Sequence, residues 1–291
     1  MEVIRGMATF HRLILLTLVM LPLGGCASLV SSAATGLADN LSVAILNQDD
    51  PETVRAGAPS YMLLLDSFIE GSPEDPALLA AGASLYASYG AVFADDEERA
   101  SKLTTRARSY GLKALCVSYE KSCEWHSQSY EMFAASLPGI PDKHADLVYA
   151  YGVATLAYLR AHSSDWDSLA FLPQVEALFN RYLEMAGGDA EGTVHTYMGI
   201  LLTLRPPALG GKPEEARGHF EKAIAMTDGR DLSAKVEFAR GYAKLLYDRE
   251  LHDRLLNEVL ASDPYADRLT LSNVIAQRDA EVLLAEAEDY F

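Results

Sequence analysis

The chain is 291 residues long and carries 41 acidic against 24 basic side chains, a formal net charge of −17. That balance excludes nucleic acid as a main partner, because basic patches supply that affinity. It also argues against electrostatic docking on anionic lipid. The length suffices for one large core or a stack of helical units.

The first element is a leader. Arg5 and Arg12 make a short basic region around the apolar run "LILLTLVMLPL" at 13–23. A bilayer span needs about 20 apolar residues, so this run fits the apolar part of a secretory signal instead. It ends in Leu23-Gly24-Gly25-Cys26. Small residues before a cysteine, directly after an apolar core, resemble a bacterial lipobox. The resemblance implies cleavage before Cys26 and lipid on its sulfur; the bland reading is an ordinary signal with an accidental cysteine. Ala27 and Ser28 lack the aspartate that holds lipoproteins at the inner membrane, which points to the periplasmic face of the outer membrane. Cleavage removes Glu2, Arg5 and Arg12 and moves the net charge to −18. The expected division is a signal peptide over 1–25, a lipidated tether and first short helix over 26–50, and a helical domain over 51–291.

Beyond the tether the chain reads as helices with proline-marked starts. Asp50-Pro51, Asp75-Pro76 and Lys212-Pro213 each put Pro at a first helical position, where its missing N–H costs nothing. Asp50 and Asp75 are natural caps, and Asp142 is a third candidate. Apolar and small residues recur at three- and four-residue steps over Leu78, Gly82, Leu85, Tyr86, Tyr89 and Phe93, and again over Val148, Tyr151, Gly152, Thr155 and Leu159. Alternation at period two is nowhere sustained, so almost no strand is expected. Cys116 and Cys123 stand seven apart in an oxidising compartment. Seven residues of unbroken helix rise about 10.5 Å, beyond the Cα separation a disulfide tolerates. A disulfide therefore requires the helix to end inside "CVSYEKSC"; the alternative is two free buried thiols.

A repeat signature follows. Ala216, Phe220 and Ala223 match the small–bulky–small face of the second helix of a tetratricopeptide repeat, where small residues let a neighbouring helix approach. Weaker copies occur at Ala107/Gly111/Ala114, Ala58/Met62/Leu65 and Leu178/Tyr182/Met185. Their uneven spacing describes an all-α fold of degenerate tetratricopeptide-like repeats, stacked antiparallel helix pairs with insertions. The largest insertion is 116–143. The only Gly-Gly-Lys, in "PPALGGKPEEARGHFEKAI" at 206–224, lacks the spacing and the preceding strand of a phosphate loop. It reads as a turn between two helices of a repeat.

Several stretches carry a family resemblance: 60–116 with its helix–Asp-Pro–helix layout, "AHSSDWDSLAFLPQVEALFNRYLE" at 161–184, 195–224, "YDRELHDRLLNEVLASDP" at 247–264, and "LTLSNVIAQRDAEVLL" at 269–284. Together they resemble the TRAP-transporter T component (TatT) family, periplasmic lipoproteins of tripartite ATP-independent transporters. The part around 121–143 is least family-like. The resemblance implies a protein that is not an enzyme, needs no cofactor and associates with the periplasmic substrate-binding component. It further implies homotrimers with a solute channel through each protomer, the solute being an organic acid or another apolar-tailed molecule. The membrane would be met through the lipid anchor only. The rival expectation is a general outer-membrane lipoprotein scaffold that binds protein partners in envelope assembly and no solute.

No two of the seven histidines stand three to five apart, so no metal-ligand pair is visible, and no G-x-S-x-G occurs. Four residues are candidate solute or channel contacts. Arg278 falls on the apolar stripe Leu271, Val274, Ile275 and Val282, where a charge needs an internal ion pair or a bound anion. His195, Tyr197 and Arg205 flank the helix before the Gly-Gly-Lys turn. Arg205 is equally placed to bond that helix's last carbonyls. Trp125 and Trp166 read as core plugs rather than partner anchors.

Overall fold

Pro51, Pro76 and Pro213 each open a helix. The computed structural model describes residues 43–187 and 192–291. The leader and Cys26 lie outside them. A helical turn over 43–46 precedes α1 (Pro51–Gly71), α2 (Pro76–Val92), α3 (Glu97–Ser118), α4 (Tyr130–Ser136), α5 (Ala145–Ala161), α6 (Trp166–Leu169) and α7 (Leu172–Ala186). Then come α8 (Gly192–Thr203), α9 (Pro213–Met226), α10 (Leu232–Glu237), α11 (Arg249–Ala261), α12 (Thr270–Ala285) and α13 (Ala287–Tyr290). Among the described residues there is no strand, and the all-α expectation holds.

The caps explain the helix starts. The Asp50 carboxylate accepts from the Glu52 N–H, and that of Asp75 from the N–H groups of Ala77 and Leu78. Each such cap stabilises its helix by about 1 kcal/mol. Asp142 caps nothing. A single 3₁₀ turn, Asp142–His144, intervenes before α5, and the Asp142 carboxylate accepts from Arg181 instead.

Neighbouring helices pack as a stack: α2 on α3, both on α5, α5 on α7, α8 on α9, and α11 on α12. The repeat signature forms the contact faces. Ala107, Gly111 and Ala114 are the buried face of α3, and Ala216, Phe220 and Ala223 that of α9. Phe220 is fully buried and stacks on Phe238 at 5.1 Å. Its ring lies over Gly199, where a Cβ would sit 2.6 Å from the ring atoms, so only glycine admits this approach of α8 to α9. After α10 the helix widens into a π turn, Phe238–Ala243. Arg240 in that turn donates to Glu237 and to Asp279 of α12.

The insertion folds onto the core. α3 ends at Ser118 and a 3₁₀ turn, Glu120–Glu124, follows. This break brings the Cα atoms of Cys116 and Cys123 to 4.6 Å, and their sulfurs are bonded. Trp125 is 1% exposed and meets Phe133 edge-on at 4.8 Å, a core plug as read. Trp166 is 65% exposed and is not one. It sits at the first position of four-residue α6, capped by Asp165, and the inward positions there go to Ser168 and Leu169.

The two ends of the stack meet. Val54, Ala58 and Met62 of α1 form one cluster with Leu271, and Ile275 packs against it. Asn47 donates to Asp267 at 3.1 Å and accepts the Arg268 N–H.

Candidate functional site: a cationic groove beside α7

A groove of about 790 Å³ opens between the insertion, α7, the end of α8 and the Gly-Gly-Lys turn. Its apolar lining comes from Ala134 and Leu137 of the insertion, Leu172 and Ala177 of α7, and Leu201 and Leu202 of α8. Three cationic side chains, Arg181, Arg205 and Lys212, face two carboxylates, Glu176 and Glu184. In a chain of net −17 this is a local reversal of sign.

The turn is built by backbone. The Lys212 N–H donates to the Leu202 carbonyl at 2.9 Å, and the Gly211 N–H to the Pro206 carbonyl at 3.1 Å. Gly210 has φ +90°, the left-handed region that favours glycine. A Cβ on Gly211 would lie 1.8 Å from the Arg205 carbonyl oxygen, so the chain passes there only without a side chain. Both glycines are thus needed to fold the loop back against α8.

The three cations differ. Arg181 is 16% exposed and donates to the Ile140 carbonyl, Asp142 and Glu184. Its buried Nε has no hydrogen-bond partner. Lys212 donates to Glu176 at 2.6 Å, and that bond holds its pKa above the usual lysine value. Arg205 is half-buried, and among the described residues no carboxylate pairs with it. The bond to the last carbonyls of α8 is not formed either. Three of those carbonyls have other donors: Ile200 the Thr203 hydroxyl, Leu201 the Leu204 N–H, and Leu202 the Lys212 N–H.

The other sequence candidates lie elsewhere. His195 is 4% exposed and is held between α8 and α9, its Nδ1 2.9 Å from that of His219. Burial, then the charges of Lys222 and His219, push its pKa down to about 4. Tyr197 packs its ring against Tyr149 and Phe179, at 6.3 and 6.1 Å. Arg278 is not on a buried stripe. Its side chain is 52% exposed and lies 3.7 Å from Glu52, lining a separate depression of about 310 Å³ with Arg55 and Asp279. The buried face of α12 runs through Leu271, Asn273, Ala276, Ala280 and Leu283. Asn273, fully buried, lies on that face and outside the stripe read from the sequence. It accepts from the Leu232 N–H and donates to the carbonyls of Arg230 and Pro264. The four candidates therefore do not converge, and only Arg205 reaches the groove.

Sequence reasoning missed Arg181 and Glu176. The available signal was their place on α7, flanking the buried row Val175, Leu178, Phe179 and Tyr182.

Two comparisons bear on this arrangement. Residues 47–291 match a family model described as TRAP transporter T-component. No curated protein matches the chain.

Proposed function

The chain belongs to the TRAP transporter T-component family, a transport accessory, and from that membership and the groove we propose a solute-handling partner of the transporter's periplasmic substrate-binding component. The groove takes an organic acid with an apolar tail, its carboxylate against Arg205 and its tail along Leu172, Leu201 and Leu202. The observation that carries this reading is Arg205, half-buried beside apolar surface with no acidic partner among the described residues. An arginine fork matches a carboxylate in two parallel hydrogen bonds. The apolar lining supplies the remaining affinity and leaves the chemistry of the tail open.

The test has two arms. The processed chain should co-purify with a TRAP-type substrate-binding protein from its own periplasm, and should bind octanoate by calorimetry. Arg205→Gln should weaken octanoate binding about tenfold to a hundredfold while leaving the melting temperature unchanged, as loss of a charge-assisted hydrogen bond predicts. If no substrate-binding protein co-purifies and no carboxylate binds, the scaffold reading replaces this one. Equal affinity of variant and wild type would remove Arg205 from the site.

We also propose that the protein is held at the inner leaflet of the outer membrane by lipid on Cys26. Several acyl chains on one cysteine anchor stably, because each buried CH₂ contributes about 0.8 kcal/mol. Metabolic palmitate label should enter the wild-type protein and be absent from Cys26→Ser. Label retained in the variant would sink the assignment.

A further inference from the structure

α1 carries a second apolar row besides its buried one. Val54, Ala58, Met62 and Ile69 are the buried row. Tyr61, Leu64 and Phe68 stand on the neighbouring flank and are 39%, 50% and 52% exposed. Gly57 and Gly71 extend that flank at either end, so the row runs in steps of four, three, four and three. A Cβ on either glycine would meet nothing within 4 Å among the described residues. Single exposed apolar groups, such as Leu63 on the outward face, are ordinary. A row at this spacing is the seam along which a second helix packs. At 100° per residue it lies on the side of α1 opposite Asp66, which accepts from Tyr110 of α3.

The chain just before α1 has the matching pattern. Val30, Ala34, Leu37, Leu41 and Ile45 recur in steps of four, three, four and four. On a helix these five would form one narrow stripe, with Ser28, Ser32, Thr35, Asp39 and Ser42 on the opposite side. The last member of the stripe sets its phase. Ile45, in the helical turn 43–46, packs against the cluster that holds Val54, Ala58 and Met62. Only residues 47–50 separate that turn from Pro51, where α1 begins. Helices joined by so short a link run antiparallel. The helical rise from Ile45 back to Val30 is about 22 Å, and that from Val54 to Phe68 about 21 Å.

We propose that residues 28–42 continue the turn as an amphipathic helix seated antiparallel on the exposed flank of α1. Leu41 then falls beside Gly57, Leu37 beside Tyr61, Ala34 beside Leu64 and Val30 beside Phe68. Small residues at 33 and 34 let the two backbones approach. The occupant is this segment, not another molecule, because Ile45 fixes its phase and its link is short. A tethered segment meets its seat at an effective concentration on the order of millimolar, which a free partner has to exceed. Serine, threonine and glycine are poor helix formers, so the helix depends on its seat. The consequence falls on Cys26. It leaves the fold near Gly71, and the proposed lipid would hold the turn between α1 and α2 to the membrane. The seat itself does not depend on the lipid, and its test leaves the lipid out.

The processed chain from residue 26 on, carrying Cys26→Ser, is followed by amide hydrogen exchange read by mass spectrometry. Residues 30–42 should exchange at least about tenfold more slowly than an unstructured chain. Leu37→Ser with Leu41→Ser should abolish that protection. Leu64→Ser with Phe68→Ser should abolish it too, since both pairs remove the same contact. Unchanged protection of α8 and α9 certifies the stack in each variant. The inference is overturned if residues 30–42 of the otherwise unaltered chain exchange freely, or if their protection survives Leu64→Ser with Phe68→Ser. It is equally overturned if that protection appears only at high protein concentration, together with dimers in sedimentation; a second copy is then the occupant.

Discussion

Replacing Phe220 with alanine should lower the unfolding free energy by about 3–5 kcal/mol, the range for emptying a fully buried aromatic site. Phe220 joins three elements. It lies on α9, covers Gly199 of α8 and stacks on Phe238 of the π turn. None of these can move in to fill the space. Glycine has no side chain to offer, and the backbone around Gly199 is fixed by the Thr203 hydroxyl bonding to the Gly199 and Ile200 carbonyls. The site should therefore keep most of its cavity, which places the cost toward the upper end. Urea denaturation followed by circular dichroism measures it as a shift of midpoint. A loss below about 1 kcal/mol would mean that α8 and α9 collapse together, and that the tetratricopeptide-like face is not the structural joint described above.

The second large effect is a dependence on pH. His195 and His219 face each other through their Nδ1 atoms, so one ring donates and the other accepts, and the pair is held neutral. Burial is the main cause of depression in both, with the Lys222 charge next. For His195 the folded pKa is about 4, below the 6.5 of an exposed ring. Between those values the unfolded chain binds more protons than the folded one, so stability falls as pH is lowered from 6.5 and the loss is complete below 4. A shift of that size corresponds to about 3 kcal/mol. Well above pH 6.5 the rings are neutral in both states, and the pair then adds no slope to the profile. His195→Leu should flatten the slope between pH 6.5 and 4.5 relative to wild type, a window above most carboxylate titrations. Parallel stability profiles for the two proteins would show that the buried pair contributes nothing.

What the residues disclosed and what they concealed follow one rule. Local chemistry was legible. Prolines at first helical positions, Asp50 and Asp75 as caps, and the faces Ala107/Gly111/Ala114 and Ala216/Phe220/Ala223 all act within a turn or two of themselves. Non-local chemistry was not. Asp142 has the composition of a cap, but Arg181, 39 positions on, claims its carboxylate. Arg278 was read from four apolar neighbours, and the face that is buried instead contains Asn273, whose partners stand 41 and 43 residues before it. Periodicity counts apolar residues and so cannot register a polar side chain satisfied inside. The groove was half legible. Arg205 and the glycine turn were singled out, yet the wall opposite comes from the insertion, the segment with the weakest resemblance to the family. Nothing in the order of residues places Leu137 across from Leu201.

The contact between Asn47 and Asp267 spans 220 residues of chain. Open repeat arrays are nearly one-dimensional: each unit touches only its neighbours, stability is close to a sum, and the end units fray first. Here the run from α1 to α12 is joined at its extremes, so neither extreme is an end in that sense. Closing so long a loop carries a large entropic cost, repaid only once the helices between are in place. The seam is therefore the last part of the molecule to be secured, and loosening any one repeat is felt on both sides of it. Local fluctuations that an open array would confine to one unit are here shared across the contact between α1 and α12.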